Sequence, residues 1–328
     1  MSLTNFPNGI TSFGNIVHGG LGVGNVYYVY DTASANAETI HNRFTGQAYE
    51  DGSNILHPHT SSGTTITTNG LVSALAACVA DRNDYVVVMP SANTYYTDVA
   101  LTVAAKSTHF ICPAALCCDV GCTNAARLQQ ITSALPIISL ESDGCEIAGF
   151  YLKNISAYPH IQVPTGNFAW GNIIHHNYFV SRSSTTTLPM LYCLGDGLSY
   201  SRVEKNWFTS QVTGAVWTTG IISVAANAVS CDIHGNVFNA GDGTATYGVR
   251  NLAVWSIVSN NLFSEGGTGT ITSCVTIGAT GAVIGNRCAV ATGHFSDGSG
   301  TTGVSYTDNT DGITNGATTG NLGAQLES

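Results

Sequence analysis

The chain has 328 residues, a formal net charge of −10, only 9% charged residues, 37 Gly and abundant Thr, Ser and Asn. Three Lys and seven Arg are too few to supply the clustered cations on which binding to a nucleic-acid backbone runs, so nucleic acid is excluded as a partner. Nothing approaches the ~18 consecutive apolar residues of a membrane span, and the composition suits a turn-rich β protein.

Residues 1–68 are rich in Gly, Asn, Thr and His, with one clear strand candidate at Val26–Tyr30. They read as an extended arm, or as an anchor that orders on a partner because it cannot bury enough apolar surface alone. The first residues lack both a basic start and an apolar run, so no secretory signal is expected, and ten Cys are then expected as reduced thiols. Asn69 is a good N-cap, and Leu71, Leu75 and Val79 with Val72 and Ala76 predict an amphipathic helix over 69–80 that closes one end of whatever follows. Tyr85-Val-Val-Val-Met-Pro90 reads as a first strand on composition. Cys112, Cys117, Cys118 and Cys122 form one tight group, whereas a zinc site prefers two separated ligand pairs; no metal and no cofactor are assigned.

From Gly171 to Cys288 one phrase recurs: an aliphatic residue, two others, Asn, one residue, then an aromatic. It reads Ile174-His-His-Asn177-Tyr-Phe179, Val203-Glu-Lys-Asn206-Trp-Phe208, Ile233-His-Gly-Asn236-Val-Phe238, Val258-Ser-Asn-Asn261-Leu-Phe263 and, degraded, Val283-Ile-Gly-Asn286-Arg-Cys288. Successive Asn residues are 29, 30, 25 and 25 apart, which marks an internal repeat of solenoid size. The two apolar positions are five apart, so strict alternation would send them to opposite faces. The chain must bend between them, and Asn tolerates the left-handed conformation that a bend needs. Stacked coils would place the aliphatic residues and the phrase-ending residues in two interior columns, with the Asn side chains in a ladder.

The segment Ile138-Ser-Leu-Glu-Ser-Asp-Gly-Cys-Glu-Ile147-Ala-Gly-Phe150 and the Asn phrases after it resemble the pectate-lyase-like parallel β-helix proteins over about residues 69–290. The resemblance implies an all-β, single-stranded right-handed parallel β-helix of about seven or eight coils over 69–292, with an N-terminal capping helix, an N-terminal arm and a Gly/Thr/Asn-rich tail at 293–328. Ser12-Phe13-Gly14 and Gly24-Asn-Val-Tyr-Tyr-Val29 look like the start of β-helix proteins of tailed-phage virions. That likeness implies a virion protein made in the host cytoplasm: a homotrimeric capsid decoration or cement protein, held to the major capsid protein or another virion protein through residues 1–68. The alternative is a tailspike or fibre that binds or cleaves host surface polysaccharide.

Chemistry on this scaffold would need carboxylates facing one groove. The Asp pairs, Gly-His-Gly and Arg-x-Lys of the family's hydrolases are missing, so no catalytic residue is assigned and an enzyme is not expected. Register alignment puts His175, Glu204 and His234 on successive coils, with Arg202 and Asp232 likewise adjacent. This column is either a metal or acid–base site or a solvated polar ladder, and the second is the stronger reading. The position after each Asn should face outward, making Tyr178 and Trp207, continued by Val237 and Leu262, a candidate interface between copies, with glycan as another possible partner.

Overall fold

A computed structural model describes residues 10–12, 15–18, 21–34, 56–63, 65–113, 125–132, 134–166, 169–278, 280–289, 294–297 and 304–311. Three parallel sheets wind these residues into a β-solenoid of about 8 turns with very little helix. One coil shows the logic: Glu146–Ala148 lies in sheet one, Phe150–Asn154 in sheet two and Ile161–Val163 in sheet three, and the chain then returns to sheet one at Ile173–His175. Strands are short because each coil must turn corners, and Gly, Asn and Ser supply the turns.

Register converts the repeat into three interior columns. On sheet one, Ile147, Ile174, Val203, Ile233, Val258 and Val283 pair in sequence and are fully buried. On sheet two, Leu152, Phe179, Phe208, Phe238, Phe263 and Cys288 do the same. Sheet three adds Leu101, Ile138, Ile161, Leu191 and Ile222. Four of the phenylalanines form a continuous stack with centroid separations of 4.4, 4.9 and 4.7 Å.

The Asn ladder lies between the first two columns. Asn206 Nδ2 donates to the Ile174 carbonyl (2.9 Å), while its Oδ1 accepts from the backbone N–H (3.0 Å) and side-chain Nδ2 (3.1 Å) of Asn177. The pattern repeats at Asn236, Asn261 and Asn286. Every rung is 2% exposed or less, so these bonds satisfy backbone groups that the corner would otherwise strand. The bend itself differs from the expectation that Asn adopts the left-handed conformation. The left-handed residue is the one before it: His176 (φ 53°), Lys205 (54°), Gly235 (64°), Asn260 (54°) and Gly285 (61°). Turning the chain one residue earlier aims the amide inward, where its hydrogen bonds are. At the opposite end of sheet one, Asn172 Oδ1 takes the Cys145 N–H (2.6 Å) and Ser256 Oγ the Cys231 N–H (3.0 Å).

At both ends of the rod the strands run further than the repeated phrase marks. Leu21–Asp31, within the segment read as an arm, pairs in parallel with Tyr85–Val88 and so extends sheet one, while Ile10–Ser12 and Asn15–His18 pair antiparallel beyond it. Much of the rest of 1–68 lies outside the described residues. Helix α1 spans Gly70–Ala77, shorter than 69–80; Asn69 Oδ1 accepts from Val72 N–H, and Gly70, Leu71, Ala74 and Leu75 are buried. Val79 falls beyond the helix and is exposed. In the segment read as a fading tail, Val304–Thr307 pairs with Gly281–Ile284, and Asn309 adds a further rung by accepting from Asn286 N–H and Nδ2. The reduced spacing, 23 residues, and the loss of the aromatic hid that coil. Residues 312–328 lie outside the described set.

Cys145, Cys193 and Cys231 are buried thiols, as small hydrophobes in the wall. Cys288 is different: it is joined to Cys274, which corrects the expectation of reduced thiols. The coil closes these two residues, 14 apart, onto each other with their Cα atoms 6.3 Å apart. Replacing both by Ser is expected to lower unfolding free energy by about 3 kcal/mol. Denaturant midpoints of the parent with and without reductant check this, and a reductant-insensitive midpoint would show the link to be idle. Of the four-Cys group only Cys112 is described, and it is buried.

Candidate functional site

Two outward faces carry the polar and aromatic side chains that the core does not use. On sheet one, His175, Glu204 and His234 occupy one outward column on successive coils, and Arg202 stands opposite Asp232. The three do not act as a trio. His175 Nε2 bonds backwards to Glu146 Oε1 (2.7 Å), and Glu204 Oε2 bonds forwards to His234 Nε2 (2.8 Å). His234 Nδ1 lies 3.1 Å from Asp232 Oδ2 but without hydrogen-bond geometry, and Arg202 sits 3.8 Å from Glu204 Oε2. Among the described residues, no group of three or more His, Cys, Asp or Glu is arranged to hold a metal ion.

The residue the sequence reading missed is Glu146. Its other oxygen, Oε2, accepts from His109 Nδ1, so one carboxylate bridges two imidazoles from the coils before and after it. His109 in turn stacks on Tyr85 (4.2 Å, 8°), and its Nε2 meets Asn83 Oδ1 at 2.8 Å. Both ring nitrogens of His109 thus meet side-chain oxygens, one from Glu146 and one from Asn83. The signal was hidden because this coil has Phe150 at the Asn position, so it fell outside the aligned phrase.

Hydrogen bonds from His109 and then His175 hold the Glu146 carboxyl down at about 2, against the opposing effect of burial. A carboxylate this acidic is ionised at neutral pH and cannot deliver a proton as a general acid. Its folded pKa lies below the ordinary 4.5, so its stabilisation is complete above that value and is lost as pH falls toward 2. Glu146→Gln is therefore expected to cost on the order of 2 kcal/mol at pH 6, the linkage value discounted for a side chain that is 24% exposed. The difference between parent and variant should shrink below pH 4.5 and vanish near pH 2; a difference independent of pH would refute the clamp.

On sheet two, Tyr178 and Trp207 are outward neighbours, half-buried, with ring centroids 6.3 Å apart, and Val237 and Leu262 continue the column. The column also extends the other way, to Tyr151 and Arg127, which the sequence reading did not reach. Among the described residues the most exposed aromatics lie elsewhere. Tyr200 (63% exposed) and Trp255 (68%) occupy the left-handed corner before sheet one, where neighbouring coils use Gly144, Gly171 and Ser230. No periodic signal in the sequence marks them, because they belong to a column of otherwise small residues.

Among the described residues no helix is long and apolar enough to cross a membrane. The chain matches none of the protein families, characterised proteins or solved structures with which it was compared.

Proposed function

We propose that the chain is a non-enzymatic structural rod of a tailed-phage virion, a right-handed β-helix that assembles as a homotrimer and decorates or cements the capsid. Residues 1–68 tie it to the major capsid protein or another virion protein, and α1 shields the greasy interior and free strand edges at the first coils. The protein is made in the host cytoplasm and resides in the particle. One observation carries the non-enzymatic part: the outward acid–base groups of sheet one are committed to each other, Glu146 between two imidazoles and Glu204 against a third. The resemblance of the opening residues to virion β-helix proteins supports the location. Side-by-side assembly is supported by the half-buried aromatic column of sheet two, since aromatic residues are enriched where protein surfaces meet.

Incubating purified protein with surface polysaccharide of the host tests the absence of catalysis. Unchanged polymer length is expected, and released oligosaccharides would overturn the reading. A glycan-binding spike or fibre is the second reading. It is favoured by the cations that accompany the aromatics on sheet two.

A further inference from the structure

The chain has ten Lys and Arg against twenty Asp and Glu, and on sheet one the outward Arg202 stands beside Glu204 and Asp232. Sheet one turns Glu146, Glu204 and Asp232 outward. Along sheet two the outward positions of successive coils read Arg127, Tyr151, Tyr178 and Trp207, with Lys153 in the next column; none is a carboxylate, and Gln129, Val180 and Thr209 beside them are buried. Arg127, Lys153 and Arg182 stand near one another on this face, none of them ion-paired to a carboxylate among the described residues.

Their placement is diagonal. Lys153 is one coil up and two residues along from Arg127, and Arg182 is one coil up and two residues beyond the partner of Lys153, Val180. Diagonal neighbours of this kind stand about 7–8 Å apart, within reach of converging long side chains. The Arg127 guanidinium lies 5.9 Å from the Tyr151 ring centroid, and Tyr151 and Tyr178 rings are 5.2 Å apart. Burial, then Arg182 and Arg127, lower the Lys153 pKa, so the three cations stand close enough to repel one another. Among the described residues the three have no carboxylate ion-paired to them, and cations gathered in this way attract an anion.

We propose that this face of sheet two seats a sugar chain bearing tetrahedral oxyanions, sulfate or phosphate esters, with Arg127, Lys153 and Arg182 on the oxyanion and Tyr151, Tyr178 and Trp207 against the sugar rings. A carboxylate is served by the fork of a single Arg, whereas an esterified sulfate or phosphate presents three free oxygens to three cations. The aromatic ladder beside the cations argues for a sugar attached to the anion, since amphipathic rings offer broad apolar faces in a half-exposed setting. The inference rests on the glycan-binding reading and gives Tyr178 and Trp207 to the sugar instead of to a side-by-side contact; only the mounting through residues 1–68 is left untouched.

Titration calorimetry of the full chain against a sulfated heparin hexasaccharide and mannose 6-phosphate tests it and separates the two esters. Hyaluronan hexasaccharide, dextran, poly-L-aspartate and inorganic sulfate serve as contrasts. At least one ester-bearing sugar is expected to bind more tightly than every contrast, and less tightly as salt is raised. Arg127→Gln with Lys153→Gln should weaken it about tenfold or more, Tyr178→Ala should weaken it by a smaller factor, and Arg250→Gln on sheet three should not. Absence of binding to both esters, equal binding of hyaluronan or poly-L-aspartate, inorganic sulfate binding as tightly as the sugars, or an unchanged affinity in the folded double variant would each overturn the proposal. If the saccharides fail while the protein is abundant in the particle, the seat is wrong and the structural role stands.

Discussion

Replacing Asn236 by Ala is expected to destabilise the protein by about 4 kcal/mol, more than any surface change on the same coil. Asn236 Oδ1 accepts from Asn206 N–H and Nδ2, and its Nδ2 donates to the Val203 carbonyl (2.8 Å) and to Asn261 Oδ1 (3.0 Å). Truncation takes the partner from the buried Asn206 N–H and from the Val203 carbonyl, while Asn261 Oδ1 keeps the Asn236 N–H and Asn206 Nδ2 keeps the Ile174 carbonyl; each orphan costs about 1–3 kcal/mol before relaxation. Asn236→Asp sharpens the test, because it keeps the shape while removing the donor and burying a charge. If the rung matters only for shape, Asp will be tolerated; the hydrogen-bond account predicts a loss at least as large as for Ala. Urea midpoints of the two variants decide.

Phe208→Ala is expected to cost a similar amount, about 3–5 kcal/mol, by a different route. The ring is fully buried between Phe179 and Phe238, nearly parallel to the latter at 4°, so removing it opens a cavity that neighbours fixed by two sheets cannot fill. Phe208→Leu should recover more than half of the loss, because it refills most of the volume and forfeits only the stacking. The neighbouring outward Val237→Thr should stay within about 0.5 kcal/mol. Equal losses at Phe208 and Val237 would mean that both sides of sheet two are covered, and that the outward face is not free.

The fold was legible because the phrase repeats its physics. An aliphatic and an aromatic position that had to face inward across a bend are what a solenoid demands, and Ile174/Phe179, Val203/Phe208 and their counterparts stack in register as the spacing required. Details escaped where the phrase was incomplete. Phe150 at an Asn position hid Glu146 from the alignment, and Tyr306 with Asp311 at the apolar positions hid the coil around Asn309. The conformational role given to Asn belonged to the residue before it, since backbone dihedrals leave little trace when His, Lys, Gly, Asn and Asp all fill the place. The polar column was read in the correct register, but register does not say whether a side chain leans to the coil above or below. His175 leans toward Glu146, and that choice separates it from Glu204. The cationic group was invisible for a similar reason: Arg127, Lys153 and Arg182 are far apart in sequence, and only the diagonal across three coils brings them together.

The repeated phrase is scaffold, and the proposed role makes the rod a structural part of a particle. Quantitative mass spectrometry of purified particles, counting this chain against the major capsid protein, tests that most directly. Hundreds of copies per particle, in a fixed ratio to the capsid protein, are expected. A few to some tens of copies would place the rod in a spike or fibre, and absence from the particle would contradict the account outright.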